Sequence, residues 1–502
     1  MYFRPYPRIS DKQLQSGLQW VIADGMAAEA MTCFTSGTFL VAIALYLGAT
    51  NVQVGMLAAL PVCSNVFQLV TIWMMQRFRS RRGIVIIASI LARLPLLLIA
   101  ALPLLVQQGH GLQVLIVVLL FHYFFGAMAG AGWNAWMKDL VPSHALGNYF
   151  AHRTRLTQLL NVTLCLALAV ALDHIRAVYP GAEIKTYAWM FLAGGVVGLA
   201  GIYALYKTPE PKQALPEKTP VLQLVTRPLL ARNFRRLILF NGCWTFAINL
   251  ATPFFTVYMI KTLQLPLTSI IAIGIAGQVA GILFVKPLGK YADAYSNKTI
   301  LLCFAPLYAV CICAWAFAGA MHSPQTTLVF LLVLHIIAGI ATAGINLALN
   351  NIGIKLSPPA QSASYLATKN ICIALFATAG PLAGGLLADQ LAGSSLRLGF
   401  DWNNGPGHVY INLLHLEQWS FFFVLAPIVA LCSLRLLKGL KEEGEVHKVI
   451  FMADVKKQWK NSLASDKLLR RTALRINDRG MMDSIKHRIN EVFLYRLPDK
   501  TG

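Results

Sequence analysis

Charge is scarce in this chain. Asp, Glu, Lys and Arg make up 13% of residues and hydrophobic residues 57%, whereas soluble domains are roughly a quarter charged. A chain this apolar cannot fold in water. Catalytic signatures are absent too: no Ser-His-Asp arrangement, phosphate-binding loop or metal-ligand spacing flanks the apolar runs, so the sequence predicts no enzyme and calls for no cofactor. Its nine cysteines, Cys33, Cys63, Cys165, Cys243, Cys303, Cys311, Cys313, Cys372 and Cys432, all sit inside apolar segments. None has a metal-ligand spacing, and they read as small buried residues. The N-terminal MYFRPYPRISDKQ carries no short apolar stretch with a small-residue cleavage site, so no removable leader is expected and the first helix itself targets the membrane.

What is present is long hydrophobic runs. Crossing a bilayer as a helix takes about 20 apolar residues, and about twelve such stretches are legible. They lie near residues 17–47, 52–76, 83–106, 112–138, 150–173 and 186–206, then 235–261, 268–290, 299–320, 327–353, 363–388 and 417–437. The chain is also built twice. Asn134 and Pro142 recur 216 positions later as Asn350 and Pro358, and the same offset, without a gap, pairs Leu140 with Leu356, Tyr149 with Tyr365, Ala151 with Ala367 and Arg153 with Lys369. The expected architecture is therefore an all-α integral membrane protein of two six-helix parallel repeats, residues 1–206 and 235–438. A Pro-rich, charged linker spans 207–234 and a basic tail 439–502. Parallel repeats of this kind suit a transporter that rocks one half against the other around a site between them.

The formal net charge of +22 is a topology signal rather than a nucleic-acid footprint. Arg77, Arg79, Arg81 and Arg82, then Lys138, Arg153 and Arg155, Lys290 and Lys298, and Lys355 and Lys369 cluster in alternate loops. The positive-inside rule puts those loops and both termini in the cytoplasm. The opposite loops, such as QQGHG and MHSPQ, are expected to be short. In the tail, Ile485, Ile489, Val492 and Phe493 repeat at helical spacing among basic residues. That pattern fits an amphipathic helix on anionic lipid, a helix packed under the bundle, or a partly disordered basic tail.

Between two runs of the second half, PLGKYADAYSNKTILL places Gly289, Asp293 and Lys298 in the spacing G-x-x-x-D-x-x-x-x-K. This resembles the signature loop of the major facilitator superfamily. The twelve helices, the duplication, the central linker and the DLVP turn at Asp139–Pro142 agree with it over all but the tail. The resemblance implies that the loop helps close the cytoplasmic face, with Asp293 near Arg153. In the first half, Ile72 and Gln76 stand where Gly and Asp are expected, which predicts asymmetric gating. Gly380, Pro381, Gly384 and Gly385 form a Gly-Pro-x-x-Gly-Gly element like that of drug-proton antiporters, but in the eleventh helix instead of the fifth. The repeat maps it onto Leu164, Cys165, Leu168 and Ala169, so the antiporter-type kink is missing.

Ionisable groups inside a span are functional candidates because burying them is costly. Asp24 and Glu29 in the first helix are candidates for proton coupling or substrate binding, with Arg93 in the third as a structural partner of one of them. The resemblance places helices one, four, seven and ten around a central cavity. There His122 and Trp133, and His335 and Asn346, share a spacing of eleven residues and so one helix face each; Asn241, Trp244 and Asn249 are similar candidates. Asn134, Asp139, Asn350 and Lys369 read as gate or turn residues. The leading functional reading is a secondary active transporter for proton-coupled import of a small polar organic solute across a bacterial inner membrane, with no nucleic-acid partner. Proton-coupled efflux of amphipathic compounds, lipid movement, and a scaffold that no longer cycles are the alternatives.

Overall fold

A computed structural model describes residues 9–78, 80–107, 109–142, 145–212, 221–321, 323–358, 361–404 and 407–442. Among them are twelve helical spans long and apolar enough to cross a membrane: Asp11–Tyr46, Asn51–Met75, Arg81–Val106, Gly111–Leu140, Leu146–Val178, Glu183–Lys207, Arg232–Lys261, Leu267–Ala292, Asn297–Ala320, Pro324–Lys355, Tyr365–Gln390 and Gln418–Leu437. Helices are the natural state of such runs, because lipid offers a backbone amide no partner. Ser10, Thr50 and Ser323 start their helices with reciprocal capping boxes. The first span breaks at Ser36, where Gly37 takes a φ of 62°. The second passes through a 3-10 turn at Ser64–Phe67, one turn after Pro61. Outward faces carry Trp189, Leu283 and Leu104 in the open, as a lipid-facing surface would.

The core of the first half gathers Val21, Val85, Trp136, Met137 and Leu205 from spans one, three, four and six. That of the second half is aromatic: Phe255 stacks on Trp315 with ring centroids 4.2 Å apart, and Phe423 and Tyr258 close around them. One element was not expected. Strands β1 (Ser395–Asn404) and β2 (Gly407–Glu417) pair as an antiparallel hairpin between spans eleven and twelve, with an irregularity at Leu398/Gly399. The expectation of uniformly short loops on that side therefore fails at the last one. The linker contributes a helix, Val221–Leu230, and the amphipathic tail segment lies outside the described residues.

One device recurs four times. At the linker end, Glu210 just after span six accepts from the amides of Arg81 and Arg82 and from the Ser80 hydroxyl, at the start of span three. Glu442 just after span twelve does the same for Asn297 and Lys298 at the start of span nine. At the opposite, hairpin end the device links the two halves. Asp389 of span eleven accepts from the amides of Asn51 and Val52 and from the Asn51 carboxamide, and Asp173 of span five accepts from the amides of Leu267 and Thr268 and the Thr268 hydroxyl, all at 2.7–3.1 Å. A helix N-terminus has unpaired amides and a positive dipole end, so a carboxylate there satisfies both. Among the described residues these are the hydrogen bonds that join one half to the other, and all lie at the hairpin end.

Candidate functional site

Two stripes of polar side chains at i, i+4, i+8 line one cavity of about 350 Å³ in the second half. Asn241, Thr245 and Asn249 form one face of span seven, and Thr342, Asn346 and Asn350 one face of span ten. Span eleven adds Lys369 and Asn370, while Trp244 and Tyr308 supply aromatic walls with centroids 6.4 Å apart. The span-seven stripe is internally tied: Thr245 donates to the Asn241 side-chain oxygen at 3.3 Å, and the Asn249 carboxamide donates to the Thr245 carbonyl at 2.9 Å. The side chains of Asn346, Asn350 and Asn370 have no hydrogen-bond partner among the described residues, so they are available to a ligand. Five carboxamides, two hydroxyls, an ammonium group and two rings make a wall that hydrogen-bonds in both directions.

A second cavity of about 240 Å³ lies between the halves, lined by Thr32, Cys33 and Ser36 of span one, Asn161 and Cys165 of span five, and Ile270, Gly274 and Gln278 of span eight. Half-buried Glu29 sits one turn from Cys33 and accepts from the Asn161 carboxamide at 2.7 Å.

The sequence candidates divide accordingly. Asn241, Trp244 and Asn346 meet in the first cavity, together with Asn350 and Lys369, which the sequence suggested for gating. Glu29 lies beside the second. Asp24 lines neither: it is buried against Arg93, 3.3 Å away, and Arg93 also donates to the Gly198 carbonyl, so the pair ties spans one, three and six together. Gly201 leaves room for this pair, since a Cβ there would meet both side chains. His122 is buried with Nδ1 donating to the Ala92 carbonyl of span three, and His335 bonds its own helix at Leu331 and packs on Trp315. Trp133 packs under the Arg153 guanidinium, 4.8 Å from the ring centre. The shared spacing thus does not give each pair one environment. A long helix crosses several neighbours, and positions three turns apart meet different ones.

The turn residues fall at the linker end. Asn134 is exposed. Asp139 pairs with Arg81 at 2.6 Å, and Arg82 stacks on Tyr206, so the first-half loop is anchored despite lacking the Gly and Asp of the signature. Lys298 is buried and donates to the Leu440 carbonyl. A Cβ added at Gly289 would meet Leu347 at ordinary van der Waals distance, and the side chain of Asp293 lies outside the described residues. Thr245, Thr342, Tyr308 and Asn370 were missed. The i, i+4 spacing of Thr and Asn on spans seven and ten would have found the first two.

Similar solved structures share this architecture at low sequence identity. The nucleoside transporter NupG, in a mutant form, superposes with a TM-score of 0.60 at 13% identity, covering 86% of this chain and 100% of that one. A D-xylose-proton symporter gives 0.60 at 14%, covering 86% and 99%. The inward open xylose transporter XylE from E. coli gives 0.55 at 14%, covering 86% and 97%. Among curated proteins no sequence match is found. The family model for the Major Facilitator Superfamily matches residues 25–333 and 237–476, nearly the whole described chain, and the protein belongs to that superfamily.

Proposed function

We propose that the protein imports a small polar organic solute by alternating access, driven by protons, with the Asn241/Asn346/Lys369 cavity as its binding site. The observation that carries this reading is the cavity itself: hydrogen-bonding groups concentrated on two facing stripes within an otherwise apolar bundle. The basic loops make the linker end cytoplasmic. With the inter-half hydrogen bonds of the described residues at the hairpin end, the conformation described is then sealed outside. Release to the cytoplasm follows from this state, and reloading requires the Asp173 and Asp389 clasps to open.

Glu29 is the proposed proton carrier. It is half-buried, accepts from one neutral donor among the described residues and sits beside a cavity between the halves, so its protonation would change how the halves meet. Asp24, already paired with Arg93, holds span one in place. The test is uptake of labelled solutes into proteoliposomes under an imposed pH gradient. Accumulation driven by an acidic exterior, lost in Glu29→Gln with counterflow retained, supports the reading. Solute movement outward on the same gradient would assign export instead. Flux indifferent to the gradient would remove proton coupling.

A further inference from the structure

Lys369 is 3% exposed and lies in the wall of the second-half cavity. Its ammonium group has three donors. One reaches the Leu349 carbonyl at 3.3 Å. No carboxylate pairs with it among the described residues, although four other basic side chains, Arg81, Arg93, Arg176 and Lys355, do find one. The contrast with its repeat equivalent is informative. Arg153 is half-buried and spends its charge on the Trp133 ring and the Val21 carbonyl. Lys369 instead faces carboxamides and hydroxyls, which carry no charge to offset its own.

A buried cation without a counter-ion is expensive, and the cavity leaves room beside it. From this geometry we infer that the solute is an anion bearing hydroxyl groups, its carboxylate or phosphate seated on Lys369 and its hydroxyls on Asn346, Asn350 and Asn370. The inference rests on the proposed binding role of this cavity and adds the charge of the occupant. Carboxylate and phosphate share the chemistry that Lys369 recognises. An aromatic wall at Trp244 accepts the apolar face of a ring.

The experiment uses the full chain in lipid nanodiscs, and melting temperature is recorded against D-glucuronate, D-glucose 6-phosphate, D-glucose and D-glucosamine, which share one ring and differ in charge. The expected result is a rise with one or both acids and none with the neutral or cationic sugar. Which acid acts separates carboxylate from phosphate. Lys369→Gln should weaken the response at least 10-fold and Lys369→Arg retain part of it. As a check independent of folding of the variants, the effective acid should protect Lys369 of the unaltered protein from an amine-reactive reagent, read by mass spectrometry. Equal responses to glucose and the acids, unchanged in Lys369→Gln, would overturn the anion assignment while leaving the cavity as the binding site. No response to either acid would overturn it as well, and the proteoliposome flux assay would then decide the transport reading separately.

Discussion

The two clasps at the hairpin end use the same atoms in different surroundings. Asp389 on spans eleven and two sits where backbones touch: a Cβ on Gly55 would run into the Pro381 carbonyl oxygen, and one on Gly385 would lie 2.6 Å from that of Asn51. Asp173 on spans five and eight has Cys165 and Ala169 at the positions equivalent to Pro381 and Gly385, and the seam beside it holds the 240 Å³ cavity. The polar device is common to both repeats, while the apolar packing around it is specific to one. A duplicated chain can thus keep the seal's hydrogen bonds twice and still make one seam tight and the other roomy. Of the Gly-Pro-x-x-Gly-Gly element, Pro381 and Gly385 belong to the tight seam, while Gly380 and Gly384 pack on span seven.

Breaking both clasps should have the largest effect. Removing a charge-assisted acceptor costs about 1.5–3 kcal/mol, and the two sites share no hydrogen-bond partner among the described residues, so their effects should add. Asp173→Asn with Asp389→Asn should therefore open the hairpin end, read as new labelling of a cysteine introduced at Thr38. If labelling stays at the parental level, the clasps do not hold the seal. Next, Gly55→Ala should lower the melting temperature by the equivalent of about 1–3 kcal/mol through overpacking, more than Gly274→Ala on the roomy seam, where a Cβ meets open space. Equal losses would remove the distinction between the seams.

At the linker end the comparison becomes one of pH. Burial disfavours the charged form of both Glu210 and Glu442. In Glu442 the bonds from Asn297, Lys298 and Lys355 outweigh it and hold the carboxyl below its ordinary range, whereas burial prevails at Glu210 and pushes it up. A lowered value means Glu442 stabilises above the ordinary carboxylate pKa and loses that contribution as pH falls through the lowered one. A raised value means Glu210 favours the fold at low pH and loses that contribution as pH rises. At pH 7 Glu442→Gln should cost about 1 kcal/mol and Glu210→Gln less, and the Glu442→Gln deficit should shrink in acid. Thermal melting between pH 4 and 8 checks both signs. Smallest of all is the contrast of the caps. Ser296 carries a φ of 91° and its equivalent Ser80 one of −134°. Ser296→Gly should be near neutral, since relief of about 1 kcal/mol of backbone strain offsets the lost cap, while Ser80→Gly should cost a few tenths of a kcal/mol.

Much of the architecture was legible because hydrophobic runs and an unbroken 216-residue offset are properties of the chain itself. The same offset pairs Asp173 with Asp389 and Asn51 with Leu267, so the clasps were written there too. They went unread because their donors are mainly backbone amides, which leave no mark in side-chain pattern. Glu210 and Glu442 were hidden further: they stand 232 positions apart, the second half being lengthened by the hairpin. Asn241, Trp244 and Asn346, singled out from residue type and span, line one cavity. His122 and His335 each bond a backbone carbonyl, and a histidine so satisfied looks, in sequence, like one awaiting a ligand. Lys369 was assigned to a turn because its burial and missing counter-ion are tertiary facts.

Among the described residues, four of the six hydrogen bonds that join the halves at the hairpin end come from backbone amides, at Asn51, Val52, Leu267 and Thr268. Side-chain changes on the donor helices, short of proline, leave those four donors in place. Random mutation can therefore remove these hydrogen bonds efficiently only through two codons, those of Asp173 and Asp389, which makes the polar part of the closure a small genetic target and the first place to look for gain-of-leak variants.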